Sequence, residues 1–199
     1  MEQLNIYIKS HLAGKPGSTL TENDVRGLWD KLLEQNLLRV LILSRSVSDF
    51  EKFKKVVTEG EKYLSVFWNA NTRDCLGLAW FDRSAPESGL VHFTPFREGV
   101  PYFDQIAFAW LEELFVRTNP SGASFIYGHI PCRYTGVIEA AKRLTFVDIE
   151  KNRYYARIRE DGTERRFPAK VMVTHVNRLR KHLETMNPLR AKIVPEPLS

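Results

Sequence analysis

Few side chains in this sequence can exchange a proton near neutral pH, and four of them fall beside predicted strand ends. His92 lies in GLVHFTPF (89–96), and His129 lies near the end of ASFIYGHI (123–130). A neutral imidazole in either place could serve as a base near neutral pH. Glu98 follows the first run with a carboxylate, and Tyr134 follows the second with a phenol. Each has a structural use as well: a strand histidine packs, a loop carboxylate is solvated, and a tyrosine at a helix start fills space. Cys75 and Cys132 are too few for a disulfide framework and lack partners at metal-ligand spacing. They read as reduced thiols, and no metal is expected. AGKPGST (13–19) holds glycines, a lysine and hydroxyls, but not in the order that wraps a phosphate, so it is a plain loop.

The elements that must position these groups follow from hydrophobic period. Leu4, Ile6 and Ile8 alternate as in a half-buried strand. Thr21 and Asp24 form a capping-box-like start for a helix carrying Val25, Leu28, Trp29, Leu32 and Leu33. LLRVLILS (37–44) predicts a short strand, and Ser48 a cap for a helix that ends before Gly60. KYLSVFWN (62–69), CLGLAWFD (75–82) and GLVHFTPF are three strand-like runs with short, turn-rich links, which makes them antiparallel neighbours. A helical stripe covers about 103–117 and ends at TNPSG. A strand at 123–130 ends at Pro131, and a helix, a turn and a strand follow through residue 158. Trp68, Trp80, Phe67, Phe81, Phe93 and Phe96 read as core or interface rather than as a base-stacking face.

Bulk properties set limits on this reading. The 199 residues suit one domain with terminal additions, and 43% hydrophobic with 27% charged residues excludes wholesale disorder. There is no apolar run of about 18 residues and no leader-like start, so a cytoplasmic protein without a membrane anchor is expected. The net charge of +5 is uneven. Residues 151–199 hold twelve Lys/Arg against five Asp/Glu, a net of +7, which leaves 17 against 19 for residues 1–150. A basic end of that kind could attract nucleic acid, an acidic protein face or a polyphosphate, or be only a solvated surface. A helix starting near Thr174, capped by it and ending before Pro188, would dock through the apolar series Val171, Val173, Val176, Leu179 and Leu183 while its basic residues stay wet.

The order of elements from residue 37 onward, with AAKRLTF (140–146) closing a helix before a strand, resembles the GCN5-related N-acetyltransferase (GNAT) superfamily. The resemblance implies an α/β fold of the α+β type: a mixed, mostly antiparallel sheet flanked by helices. It covers roughly residues 37–158, with residues 1–36 a strand-loop-helix addition and 159–199 a basic extension packed on the same domain or on a partner subunit. It also implies acetyl-CoA or another acyl-CoA as co-substrate and a small-molecule or protein amine as acceptor. The strands of His92 and His129 would be the pair that parts around the CoA arm. In the family, a glycine-rich loop before the long helix holds the pyrophosphate through bare amides. Here that junction is FREGVPYFDQ (96–105), so Arg97, Gly99, Val100 and Tyr102 are the expected contacts. The junction is one residue short, and Pro101 removes a donor. Ala141 stands where many relatives place a tyrosine acid, and Thr145 where the helix-ending turn usually has glycine.

Three functions are therefore in play. The first is an acyltransferase acting on an amine, with His92, His129 or Glu98 as base and Tyr134 as acid. The second is a non-catalytic binding, assembly or structural protein on the same fold that has lost CoA. The third is a nucleic-acid binder using the basic end, which is the least expected. A homo-oligomer is compatible with each.

Overall fold

Strand β1 (Asn5–Leu12) places Ile6 in the core, while Tyr7 on its other face stacks on Trp68. The computed structural model describes residues 2–12, 19–38, 47, 49–59, 62–119, 122–158 and 164–197. The predicted strand over 37–44 lies mostly outside the described residues, as do Ser48, Gly60 and most of the 13–19 loop.

Helix α1 (Glu22–Glu34) starts with the expected reciprocal cap between Thr21 and Asp24 and buries Val25, Leu28 and Leu32. Helix α2 (Phe50–Thr58) is capped by Asp49, whose carboxylate accepts from the Lys52 amide at 2.9 Å, and buries Phe53 and Val57. Strands β2 (Lys62–Asn69), β3 (Cys75–Ala85) and β4 (Ser88–Pro95) form the expected antiparallel meander. Helix α3 (Phe103–Leu111) is buried along Gln105–Leu111 and continues as a π-helical turn over Glu112–Arg117. Strand β5 (Phe125–Pro131), helix α4 (Thr135–Arg143) and strand β6 (Val147–Ile158) follow, then β7 (Glu164–His175), α5 (Val176–Met186) and β8 (Lys192–Ile193).

All eight strands join one mixed sheet in the order β6-β7-β5-β4-β3-β2-β1-β8. Its two faces are covered separately. Helices α1 and α2 pack with Leu64, Val66, Leu78, Trp80 and Phe96 on one side. Helices α3, α4 and α5 pack with Ile6, Phe67, Phe81, Ile126 and Met172 on the other. Phe53, Phe67, Phe81, Phe96 and Phe115 are each fully buried, and burying one such side chain stabilises by about 1.5–3 kcal/mol. Of the six aromatics read as core or interface, Phe67, Trp80, Phe81 and Phe96 are buried, and Trp68 and Phe93 pack partly buried against the two clusters.

The C-terminal segment departs from expectation. Residues before α5 form a long strand that lies between β5 and β6 and pairs antiparallel with both. Thr174 is therefore a strand residue, and the helix cap is His175, whose Nδ1 accepts from the Asn177 amide at 3.0 Å. The alternation in KVMVTH is a strand period, masked in the sequence by the helical spacing of Val176, Leu179 and Leu183 that follows. The helix does dock through those three residues, as expected.

Candidate functional site

Strands β4 and β5 run parallel for only three residue pairs, Ser88↔Phe125, Gly89↔Ile126 and Leu90↔Tyr127. Beyond Leu90 no further pair joins them. Strand β5 keeps its full ladder with β7 through Pro131 on its other edge. The strands containing His92 and His129 are therefore neighbours that part at one end, and among the described residues no strand pairs with the edge of β4 that faces the gap over 91–95. Into that gap opens a cleft of about 280 Å³, walled by Phe93, Phe103, Trp110, Leu144 and Phe146, with His92, His129, Arg133 and Tyr134 along it. Ala141 also lines it.

His92 stands opposite Trp80 across the β3–β4 ladder, with their rings 4.7 Å apart. Its Nε2 lies 3.4 Å from Asp82 Oδ2, the oxygen that also accepts from Trp80 Nε1 at 3.1 Å. Burial would raise the Asp82 carboxyl. Hydrogen bonding and charge from His92, with help from Lys62 and Trp80, outweigh it and hold the group below its usual value. An ionised carboxylate on Nε2 fixes the proton there and leaves Nδ1 as the ring's acceptor. Because Trp80 belongs to the cluster under α1 and α2, His92 sits on that face of the sheet. His129 is exposed, with its ring 5.9 Å from Tyr127. Ile126 and Ile130 pack into the opposite core, so the alternation of β5 puts His129 on the same face as His92.

The remaining candidates divide. Tyr134 lines the cleft at the start of α4, and its hydroxyl accepts from Arg133 Nη2 at 2.8 Å, which leaves the phenolic hydrogen to donate. Glu98 does not line the cleft: its carboxylate is tied to Lys31 at 2.9 Å and Gln35 at 3.2 Å on α1. Burial raises that carboxyl, but its own amide, Lys31 and Gln35 hold it below the usual value, a poor setting for a base.

The loop expected to hold phosphate is closed on itself. The Arg97 amide donates to Gln35 Oε1 at 2.8 Å. Those of Gly99 and Val100 donate to the Phe96 carbonyl, that of Tyr102 to Gly99, and that of Phe103 to Val100. Pro101 has none. Gly99 is needed for contact rather than for a ligand, since a Cβ there would lie 1.9 Å from the Leu76 carbonyl oxygen. The amides of Arg97, Gly99, Val100 and Tyr102, the residues expected to hold phosphate, thus donate within the chain here. At the start of α3, Asp104 forms a two-point pair with Arg143, at 2.7 and 3.0 Å.

The turn after α4 does need a left-handed residue: Thr145 sits at φ 72°. Its hydroxyl meets that of Thr174 at 2.7 Å, with both residues buried. Cys75 is buried and its thiol is pushed up to about 12, so it is inert. Among the described residues, no group of three or more His, Cys, Asp or Glu could hold a metal, and no helix is long and apolar enough to cross a membrane.

Asp82 and Trp80 were not found from sequence. A bulge between Arg83 and Ala85 shifts the β3–β4 register by one, and counting back from the two-residue turn without it sets His92 against Phe81 instead of Trp80.

The sequence matches no protein-family model and no curated protein. Solved structures do match the fold. Spermidine N-acetyltransferase from Vibrio cholerae in complex with CoA and spermine superposes with a TM-score of 0.66 at 12% identity, over 88% of this chain and 98% of that one. A dodecameric structure of spermidine N-acetyltransferase from Vibrio cholerae gives 0.62 at 14% identity, over 87% and 95%. A chimera of that organism's SpeG with hSSAT gives 0.64 at 15%, over 89% and 99%. The likeness is one of architecture, and it is extensive: the chain shares the fold of these N-acetyltransferases, a mixed sheet flanked by helices.

Proposed function

We propose that the protein transfers an acyl group, in the simplest case acetyl, from a pantetheine thioester such as acetyl-CoA to an amine. The observation that carries this is the parting of β4 and β5 over an apolar cleft with a histidine–aspartate pair beside it. The edge of β4 beyond Leu90 suits an extended, amide-bearing arm, because among the described residues no strand satisfies its backbone donors and acceptors. In the reaction the amine nitrogen attacks the thioester carbonyl; a C–N bond forms and the C–S bond breaks. His92 Nδ1 takes the amine proton while Asp82 steadies the imidazolium. The Tyr134 phenol, fixed by Arg133, supplies the thiolate's proton and is then reprotonated from solvent. His129, on the same face, is the alternative base.

The acceptor in the neighbouring complex is a polyamine. Here a single carboxylate, Asp82, stands beside His92, which suits one amine better than a chain of cations. Since one neighbour is dodecameric, self-association belongs to the proposal and is read by light scattering. We place the protein in the cytoplasm.

The test is thiol release from acetyl-CoA over a panel of amines, with amide product identified by mass spectrometry. His92→Gln is expected to lose about 100-fold or more in kcat, typical of removing a general base. Full activity in that variant together with His129→Gln would discard both bases. A second reading, a GNAT-fold binding protein without catalysis, is favoured by the closed loop and by Ala141. It requires that no thioester turns over.

A further inference from the structure

We infer that the site holds its donor by the pantetheine arm alone, leaving any nucleotide outside, so that an acyl group on a pantetheine arm of any origin is a competent donor. The inference rests on the acyl-transfer reading and narrows its substrate class.

Three independent features carry it. A diphosphate needs several donors converging on one point. In the loop before α3, the amides of Arg97, Gly99, Val100, Tyr102 and Phe103 already donate within the chain, and Pro101 has no donor. Rearranging the loop to free them is blocked from below, because Gly99 lies directly against the Leu76 carbonyl of β3. The first turn of α3, where the helix dipole would favour an anion, already carries the Asp104 carboxylate, joined at two points to Arg143. A phosphate there would meet a negative charge whose cationic partner is engaged.

The arm, by contrast, has a place. The cleft of about 280 Å³ is lined mostly by apolar and aromatic side chains, and one of its sides is the edge of β4 beyond Leu90. A pantetheine arm carries two amides separated by short methylene links, and it can pair with such an edge while its methylenes lie on Phe93, Phe103 and Trp110. Two sources share this chemistry. One is an acyl-CoA whose nucleotide stays in solvent, and the other is the phosphopantetheine arm of a carrier protein.

The experiment titrates the full chain by calorimetry with CoA, pantetheine and adenosine 3′,5′-bisphosphate, and measures turnover with acetyl-CoA, S-acetylpantetheine and an acetylated carrier protein. Pantetheine is expected to bind within about threefold of CoA, and the bisphosphate neither to bind nor to displace it. Ala141→Trp, which fills the cleft, should abolish both bindings, with the fold checked by circular dichroism. Pantetheine weaker than CoA by roughly tenfold or more, or displacement by the bisphosphate, overturns the inference and leaves the acyl-transfer reading standing. No binding of either CoA or pantetheine overturns both. A carrier protein turned over faster than S-acetylpantetheine identifies the carrier as the source, and equal rates identify the free thioester; each supports the shared arm.

Discussion

Thr145 shows how a strained turn is held. A β-branched residue at φ 72° costs about 1–3 kcal/mol, and the buried hydroxyl pair with Thr174 helps offset it, beside the amide bonds of Thr145 to Lys142 and of Phe146 to Ala141. Thr174→Val should destabilise by about 1–3 kcal/mol, because it leaves the Thr145 hydroxyl buried without that partner. Thr145→Gly should be close to neutral, since relief of strain is balanced by an orphaned Thr174. The double variant should be at least as stable as the parent, and denaturant midpoints of all four proteins measure the coupling. Asp82 makes a prediction in pH. Its carboxyl is depressed in the folded state, so its contribution is present above the unfolded carboxylate range and lost as pH falls through the lower folded value. Asp82→Asn should therefore lose stability at pH 7 and differ little from the parent at the acid end, in denaturation curves taken across that range. The resemblance to the GNAT pattern drew attention to position 145, but nothing in the sequence revealed Thr174 opposite it, because that contact depends on β7.

At the scale of elements, the loop before α3 is set by what lies under it. Gly99→Ala pushes a methyl into the Leu76 carbonyl and should cost about 1–3 kcal/mol, read as a fall in thermal midpoint. Gly128→Ala is the contrast, since its Cβ would meet nothing closer than 3.9 Å. That variant should fold as well as the parent. Helices α1 and α4 were legible because each buries one periodic face, around residues such as Leu28 and Ile138, and α3, β2 and β3 because they are apolar over most of their length, around residues such as Ile106 and Val66. Two things were not. The β3–β4 bulge displaces His92 by one position, and a one-residue slip in a ladder changes every cross-strand partner. The partners of the Gly99 and Tyr102 amides were the other, because the sequence shows which donors exist, whereas only the folded turn shows where they point.

Over the whole molecule, the chain's two ends are stitched together. The Lys192 amide donates to Leu4, that of Val194 to Ile6 and that of Ala191 to Gln105. Arg190 pairs with Glu112, and Lys9 with Glu196. Removing residues 187–199 should leave a folded protein weaker by about 2–4 kcal/mol, from three backbone hydrogen bonds at roughly 1 kcal/mol each. Removing 170–199 is a different experiment, because it takes half of β7 and all but one of its pairs with β5. That truncation should yield no cooperative unfolding transition. The basic end, which its charge alone left open between a partner-binding tail and a docked element, is by geometry an interior strand, a docked helix and a clasp.

The place of β7 also bears on how the protein is made. A ribosome delivers β5 and then β6 before the strand that belongs between them exists, and β5 meanwhile has β4 along only three residue pairs. Until His175 has emerged, two strand edges wait without partners, an aggregation hazard for a nascent chain. The β5–β7–β6 part of the sheet can close only after residue 175 has been made. The nascent protein should accordingly depend on a holding chaperone for β5 and β6, and the interval is set by how quickly residues 159–175 are translated.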